Sequence, residues 1–258
     1  GGSHFQHGSP DDHGSHPELS RSGFGCRGSG AMVMMADGLA AGGFDRAAPA
    51  GVDAAIIPAD LAMALVSAGM RMDQRGWVPA TSGNLSARMD GERMAITRSG
   101  VHKGFLAPRD IIAVDFDGRC LTPGMKPSAE TLLHCQIYRL WPEVGSVLHG
   151  HSVAATALTL ALPQADAIEL AGYEILKAWN AFTTHEATAS LLVIDNDQDM
   201  HRLAGRLAPA LEAGEAPIGY VLRGHGVYVW GADVTAALHR MEALEFLLAA
   251  DIERRKLL

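Results

Sequence analysis

Cysteine is scarce in this chain: its 258 residues include three, Cys26, Cys120 and Cys135, and no Cys-x-x-Cys pair. An odd, scattered set does not make a disulfide scaffold, and the compartment expected from it is a reducing cytoplasm. Long apolar runs are missing as well. No stretch reaches the roughly 18 to 20 uninterrupted apolar residues of a membrane-spanning helix. The first residues lack a basic segment followed by an apolar run, so no secretory signal is expected. Positive charge is the third shortage. Lys and Arg number 21 against 29 Asp and Glu, a net charge of −8 with no basic stripe, which argues against a nucleic-acid partner because phosphate backbones reward clustered cations.

What remains is an ordinary globular composition, 48% apolar and 19% charged, in a chain long enough for one sizeable core. Residues 1–50 stand apart, rich in Gly, Ser, His and Asp with little apolar periodicity. Such a segment cannot bury enough surface to offset its ordering entropy and reads as a disordered extension. His4, His7, His13 and His16 are irregularly spaced along it and carry no metal-site assignment. Residues 51–258 read as a single catalytic domain.

Within that domain Asp60 is placed to cap a helix running to about Gln74, with Leu61, Leu65 and Met70 among its apolar positions. Asn84 to Met89 and Met94 to Thr97 read as a hairpin closed by Asp90-Gly91. Ile111 to Asp115 is a third strand, and Ser128 stands at the N-cap of a helix ending at Leu140. Val144 to Leu148, Leu191 to Ile194, Ile218 to Leu222 and Val227 to Trp230 are further strands. Helices are expected from Val153, from Asn196 to about Glu212, and from Asp233 to the C-terminus. Hairpin strands early and alternating strands and helices later imply a mixed sheet covered by helices on both sides.

The chemistry-bearing residues begin with His149, His151 and His225. Two residues apart on a strand point the same way, so His149 and His151 can aim at one point. A third imidazole from the Gly224-His225-Gly226 turn completes a facial set that leaves room for substrate, as a catalytic zinc requires. A His-x-His pair alone is a weak signal, and flanking glycines imply only close backbone approach. Three turns precede the histidines, and they nominate Ser82, Gly83, Asn84, Ser99, Gly100 and Ser128 as phosphate contacts. The third turn opens a helix, whose N-terminus favours an anion. Two carboxylates are candidates for moving protons: Glu130, and Glu174, which has Lys177 three residues on as an ordinary salt-bridge partner.

The order Ser82-Gly83-Asn84, Ser128-x-Glu130 with His134, His149-x-His151 and Gly224-His225-Gly226 resembles the class II aldolase and epimerase superfamily, from about Pro58 to the C-terminus. Four blocks are most similar to its methylthioribulose-1-phosphate dehydratases of methionine salvage: Lys126 to His134, Tyr173 to Lys177, Asp195 to Asp199, and Arg223 to Gly231. The resemblance implies a three-layer α/β/α fold with a mixed, largely antiparallel central sheet. It also implies one Zn²⁺ per subunit held by His149, His151 and His225, Glu174 as the general acid/base, and a homotetramer with active sites near subunit contacts. The expected substrate is a small phosphorylated ketose. Glu130 matches the acid/base of sugar-phosphate aldolases, which keeps aldol cleavage or epimerisation as an alternative. A non-catalytic interaction domain is disfavoured because all three zinc ligands are present. Asn196 and its neighbours read physically as a helix cap, with no chemical role.

Overall fold

The computed structural model describes residues 56–258; the N-terminal extension lies outside them. Eight strands form one sheet: β1 (Asn84–Arg88), β2 (Arg93–Thr97), β3 (Ile111–Asp115), β4 (Ser146–Gly150), β5 (Ala167–Ala171), β6 (Thr188–Ile194), β7 (Tyr220–Leu222) and β8 (Gly226–Gly231). Their order is β3-β2-β1-β4-β8-β7-β6-β5. Every pairing is antiparallel except β6 with β7. Five α-helices accompany it: α1 (Ala59–Gln74), α2 (Thr131–Leu140), α3 (Val153–Ala161), α4 (Met200–Glu212) and α5 (Val234–Lys256).

The two-residue period of a strand sorts the core into two layers. On β4, Leu148 joins Leu65, Met241 and Leu244 beneath α1, α3 and α5. Its neighbour Val147 joins Leu133, Ile137, Leu203 and Leu207 beneath α2 and α4. On β8, Val229 and Tyr228 divide the same way. Both faces are covered, so the central strands read as continuous apolar runs. Each fully buried leucine stabilises the fold by about 2 kcal/mol.

Local signals account for most boundaries. Asp90 Oδ1 accepts from the amides of Glu92 and Arg93, both at 2.9 Å, and closes the β1–β2 hairpin. Asp233 caps α5 through the Ala236 amide at 2.7 Å, and Arg254, Arg255 and Lys256 occupy the carbonyl end of that helix. Four expectations need correction. Asp60 lies in the first turn of α1, whose N-cap is Pro58. Met70 faces solvent, while Ala62, Ala68 and Met72 share the buried face with Leu65. Ser128 sits in the turn before α2, where its carbonyl accepts from the Thr131 hydroxyl at 2.7 Å. Asn196 precedes α4 without capping it; Asp199 is the cap, accepting from His201 and Arg202 amides at 3.0 and 3.1 Å. β5 and the 3₁₀ turn Glu174–Ala178 were not anticipated, because only Ile168 and Leu170 of that edge strand are buried.

Candidate active site

Sheet register assembles the site. Antiparallel pairing sets Asn84 of β1 opposite His149 of β4, and His149 opposite Tyr228 of β8. Gly83, at φ +71°, enters β1 so close to β4 that a Cβ there would lie 2.6 Å from the His149 carbonyl. The β7–β8 turn then brings His225 over the end of β4. His149 is fully buried with its ring stacked on Tyr228, centroids 4.0 Å apart.

Three imidazole Nε2 atoms converge. Those of His149 and His151 are 2.8 Å apart, and those of His151 and His225 are 3.1 Å apart. Glu130 closes the group, 3.3 Å from His149 Nε2 and 2.9 Å from His225 Nε2. These four residues are the group of ligand-type side chains, among the described residues, whose donor atoms all lie within 4.8 Å of one another. His149 Nδ1 donates to the Val227 carbonyl at 2.9 Å, and His225 Nδ1 donates to Asn196 Oδ1 at 3.2 Å. Both Nε2 atoms therefore face inward toward His151 and Glu130, where a proton or a metal ion between the nitrogens and the carboxylate relieves their repulsion. Burial first, then positive charge on His149 and His225, pulls His151 down to about 3, so its Nε2 lone pair stays free for a metal ion. The donor set fits a metal ion with three imidazoles and one carboxylate.

Glu130 is aimed by a buried relay. Tyr138 and Ser86 hydroxyls lie 2.8 Å apart, Ser86 is 2.7 Å from His134 Nδ1, and His134 Nε2 donates to Asn84 Oδ1. Asn84 Nδ2 in turn donates to Glu130 at 2.6 Å and to Ser128 Oγ at 3.0 Å. Burial holds His134 neutral, down to about 3. Burial also presses the Glu130 carboxyl upward, but His149 and His225 outweigh it and keep Glu130 well below the usual carboxylate range. It is an anion that accepts.

Two clefts meet at this cluster. The first, about 350 Å³, gathers Ser82, Gly83, Asn84, Ser99, Gly100 and Ser128, the six residues nominated for phosphate. The second, about 670 Å³, is walled by Pro79, Val153, Thr156 and Ala157. Glu130, His151 and His225 line both. The Asn84 amide is committed to Glu130, Ser128 and His134, so its side chain is occupied. Glu174 lines neither cleft; its exposed carboxylate pairs with Lys177 at 2.6 Å.

Sequence reasoning missed Lys103, a buried ammonium lining the smaller cleft and donating to the Thr81 and Val101 carbonyls at 2.8 and 2.7 Å. Burial brings it down to about 8 against the pull of the Glu130 charge. No periodicity marks a lysine for burial, so it left no signal. Asn196 and Gln198 line both clefts and were visible only as an unexplained block.

Residues 63–252 match the class II aldolase and adducin N-terminal domain. The chain belongs to this family. Within it, the chain is 60% identical over 200 residues to the methylthioribulose-1-phosphate dehydratase of Granulibacter bethesdensis, covering 76% of this chain and 92% of that protein. It is 58% identical over 205 residues to the enzyme of the same name from Acidiphilium cryptum, covering 80% and 96%. Among solved structures, the class II aldolase fold is shared with L-fuculose-1-phosphate aldolase of Thermus thermophilus. That likeness has a TM-score of 0.62 and 25% identity, covering 76% of this chain and 96% of the other. The three-layer fold with its mixed sheet is thus the family's own. No helix among the described residues is long and apolar enough to cross a membrane.

Proposed function

We propose that this chain is a zinc-dependent, cytoplasmic dehydratase of methionine salvage. It converts 5-methylthioribulose 1-phosphate to 2,3-diketo-5-methylthiopentyl 1-phosphate and water. The observation that carries the reading is the cluster of His149, His151, His225 and Glu130 at the junction of a polar and a more apolar cleft. A ketose with a phosphate at one end and a thioether at the other matches that junction. The names and identities of the relatives supply the substrate.

His149, His151 and His225 hold the zinc, which when bound supplies a Lewis acid for the substrate's C2 carbonyl. The turns at Ser82-Gly83, Ser99-Gly100 and Ser128 take the phosphate, with the Lys103 ammonium behind them. Glu130, held ionised, stays an acceptor beside the histidines and orients the reacting hydroxyls. Glu174 removes the C3 proton and returns it to the hydroxide leaving C4, so one water departs and the C3 enol tautomerises to the diketone. Because Glu174 lines neither cleft of its own chain, we assign it to a neighbouring subunit's site in a homotetramer.

The test is ³¹P and ¹³C NMR of products from zinc-loaded protein. Diketone phosphate, abolished by chelation, supports the reading; dihydroxyacetone phosphate plus a methylthio aldehyde means aldol cleavage with Glu130 as acid/base, and contradicts it. Mixing inactive H151A and E174Q proteins tests the subunit assignment. Hybrid oligomers regain activity if Glu174 serves a neighbour, and stay inactive if it serves its own chain.

A further inference from the structure

The Asp195–Asp199 segment runs from the end of β6 to α4 along the rim of the metal cluster, and nothing above gives it chemistry. Asn196 Oδ1 accepts from the Asp197 amide at 2.9 Å and from His225 Nδ1 at 3.2 Å. The backbone amide decides which way the side-chain amide faces. Turning the NH₂ group inward would set a donor against the Asp197 N–H, so the oxygen must point there. An oxygen only accepts, so it requires a proton on His225 Nδ1 and leaves Nε2 as the ring nitrogen that faces His151 and Glu130 and can bind a metal ion.

The segment is bolted on both sides. Asp197 is held by Arg202 at 2.5 Å and by Arg206 at 3.2 Å. Asp199 caps α4. Asp195 pairs with Arg223 at 2.7 Å, and that guanidinium also donates to the carbonyls of Thr159, Leu162 and Ala165 at 3.2, 2.8 and 2.8 Å. Arg223 is two residues before His225, so one side chain anchors both the acceptor segment and the ligand turn. His149 has its Nδ1 held by a backbone carbonyl, which substitution does not remove. The corresponding hold on His225 is a side chain.

We infer that Asn196 is the positioning residue for the metal ligand His225, held in place by the Asp195–Asp199 segment and its three arginines. The inference rests on the metal reading of the cluster. Losing a partner that fixes a ligand's tautomer and ring orientation typically weakens metal binding by about 10- to 100-fold.

Zinc dissociation constants, measured by competition with a chromophoric chelator, test this on wild type, N196A and N196D. N196A is expected to bind zinc about 10- to 100-fold more weakly. N196D keeps an acceptor at the same place and should return to within a few-fold of wild type. Matching melting curves of the zinc-free proteins separate this from loss of fold. Equal affinity in N196A and wild type overturns the inference alone, as does an N196D protein that binds as weakly as N196A. A wild type that takes up no zinc overturns the metal reading and this inference with it.

Discussion

Glu245 is a carboxyl buried where no cation meets it, and the fold should register its charge as a pH-dependent cost. It lies on α5, 3% exposed, with Oε1 lacking any hydrogen-bond partner. Burial raises it from 4.5 to about 7, offset in part by the Ser152 hydroxyl. Between those values the native state keeps a proton that the unfolded chain has released, so the contribution of Glu245 to stability falls as pH rises through that window. The cost is complete above about 7 and vanishes below 4.5. At about 1.4 kcal/mol for each tenfold change in proton affinity, the interval amounts to about 3 kcal/mol. Glu245→Gln removes the ionisation while keeping the shape. In urea titrations at fixed protein concentration, the variant should exceed wild type by about 3 kcal/mol at pH 8, and by under about 1 kcal/mol at pH 5. A variant that gains nothing at pH 8, or gains equally at both pH values, refutes the reasoning.

Three further outcomes are expected. Gly83→Ala combines a positive φ with a Cβ 2.6 Å from the His149 carbonyl, and should cost roughly 1–3 kcal/mol of stability by urea denaturation. Lys103→Met removes the ammonium of the smaller cleft; steady-state kinetics should show KM for the phosphorylated substrate rising about tenfold or more, with kcat changed far less. His134, buried and held neutral down to about 3, binds a proton more readily when unfolded. Its contribution to stability should therefore drop as pH falls from about 6.5 toward 3, opposite in sign to that of Glu245, and in melts the difference between His134→Gln and wild type should shift in favour of the variant from pH 7.5 to pH 5.

The parts of the molecule legible in the sequence were those set by local periodicity. The β1–β2 hairpin, the His149 strand and the capped C-terminal helix each rest on a short-range signal, an Asp turn, a short apolar run or an N-cap aspartate. The convergence of His149, His151 and His225 was legible because a strand places i and i+2 together and a glycine turn can approach it. What escaped was decided by tertiary partners. Ser128 and Asn196 are good caps, yet Ser128 is taken by Asn84 and Asn196 by His225. Nothing local distinguishes Asp199, which does cap α4, from its neighbour in the same polar run. Lys103 is buried because its ammonium meets two carbonyls from separate turns, a pairing no window of sequence contains. Glu174 was the acid/base implied by the resemblance and Glu130 the aldolase-like alternative, yet within one chain the fold puts Glu130 beside the histidines.

The central claim is that His149, His151 and His225 hold one catalytic metal ion through their Nε2 atoms. Anomalous diffraction collected on either side of the zinc edge, from crystals grown with zinc, tests it most directly. The account predicts a single strong peak within about 2.0–2.1 Å of all three Nε2 atoms, with the side toward the two clefts left open for substrate. A peak elsewhere, or none at these three nitrogens, contradicts it.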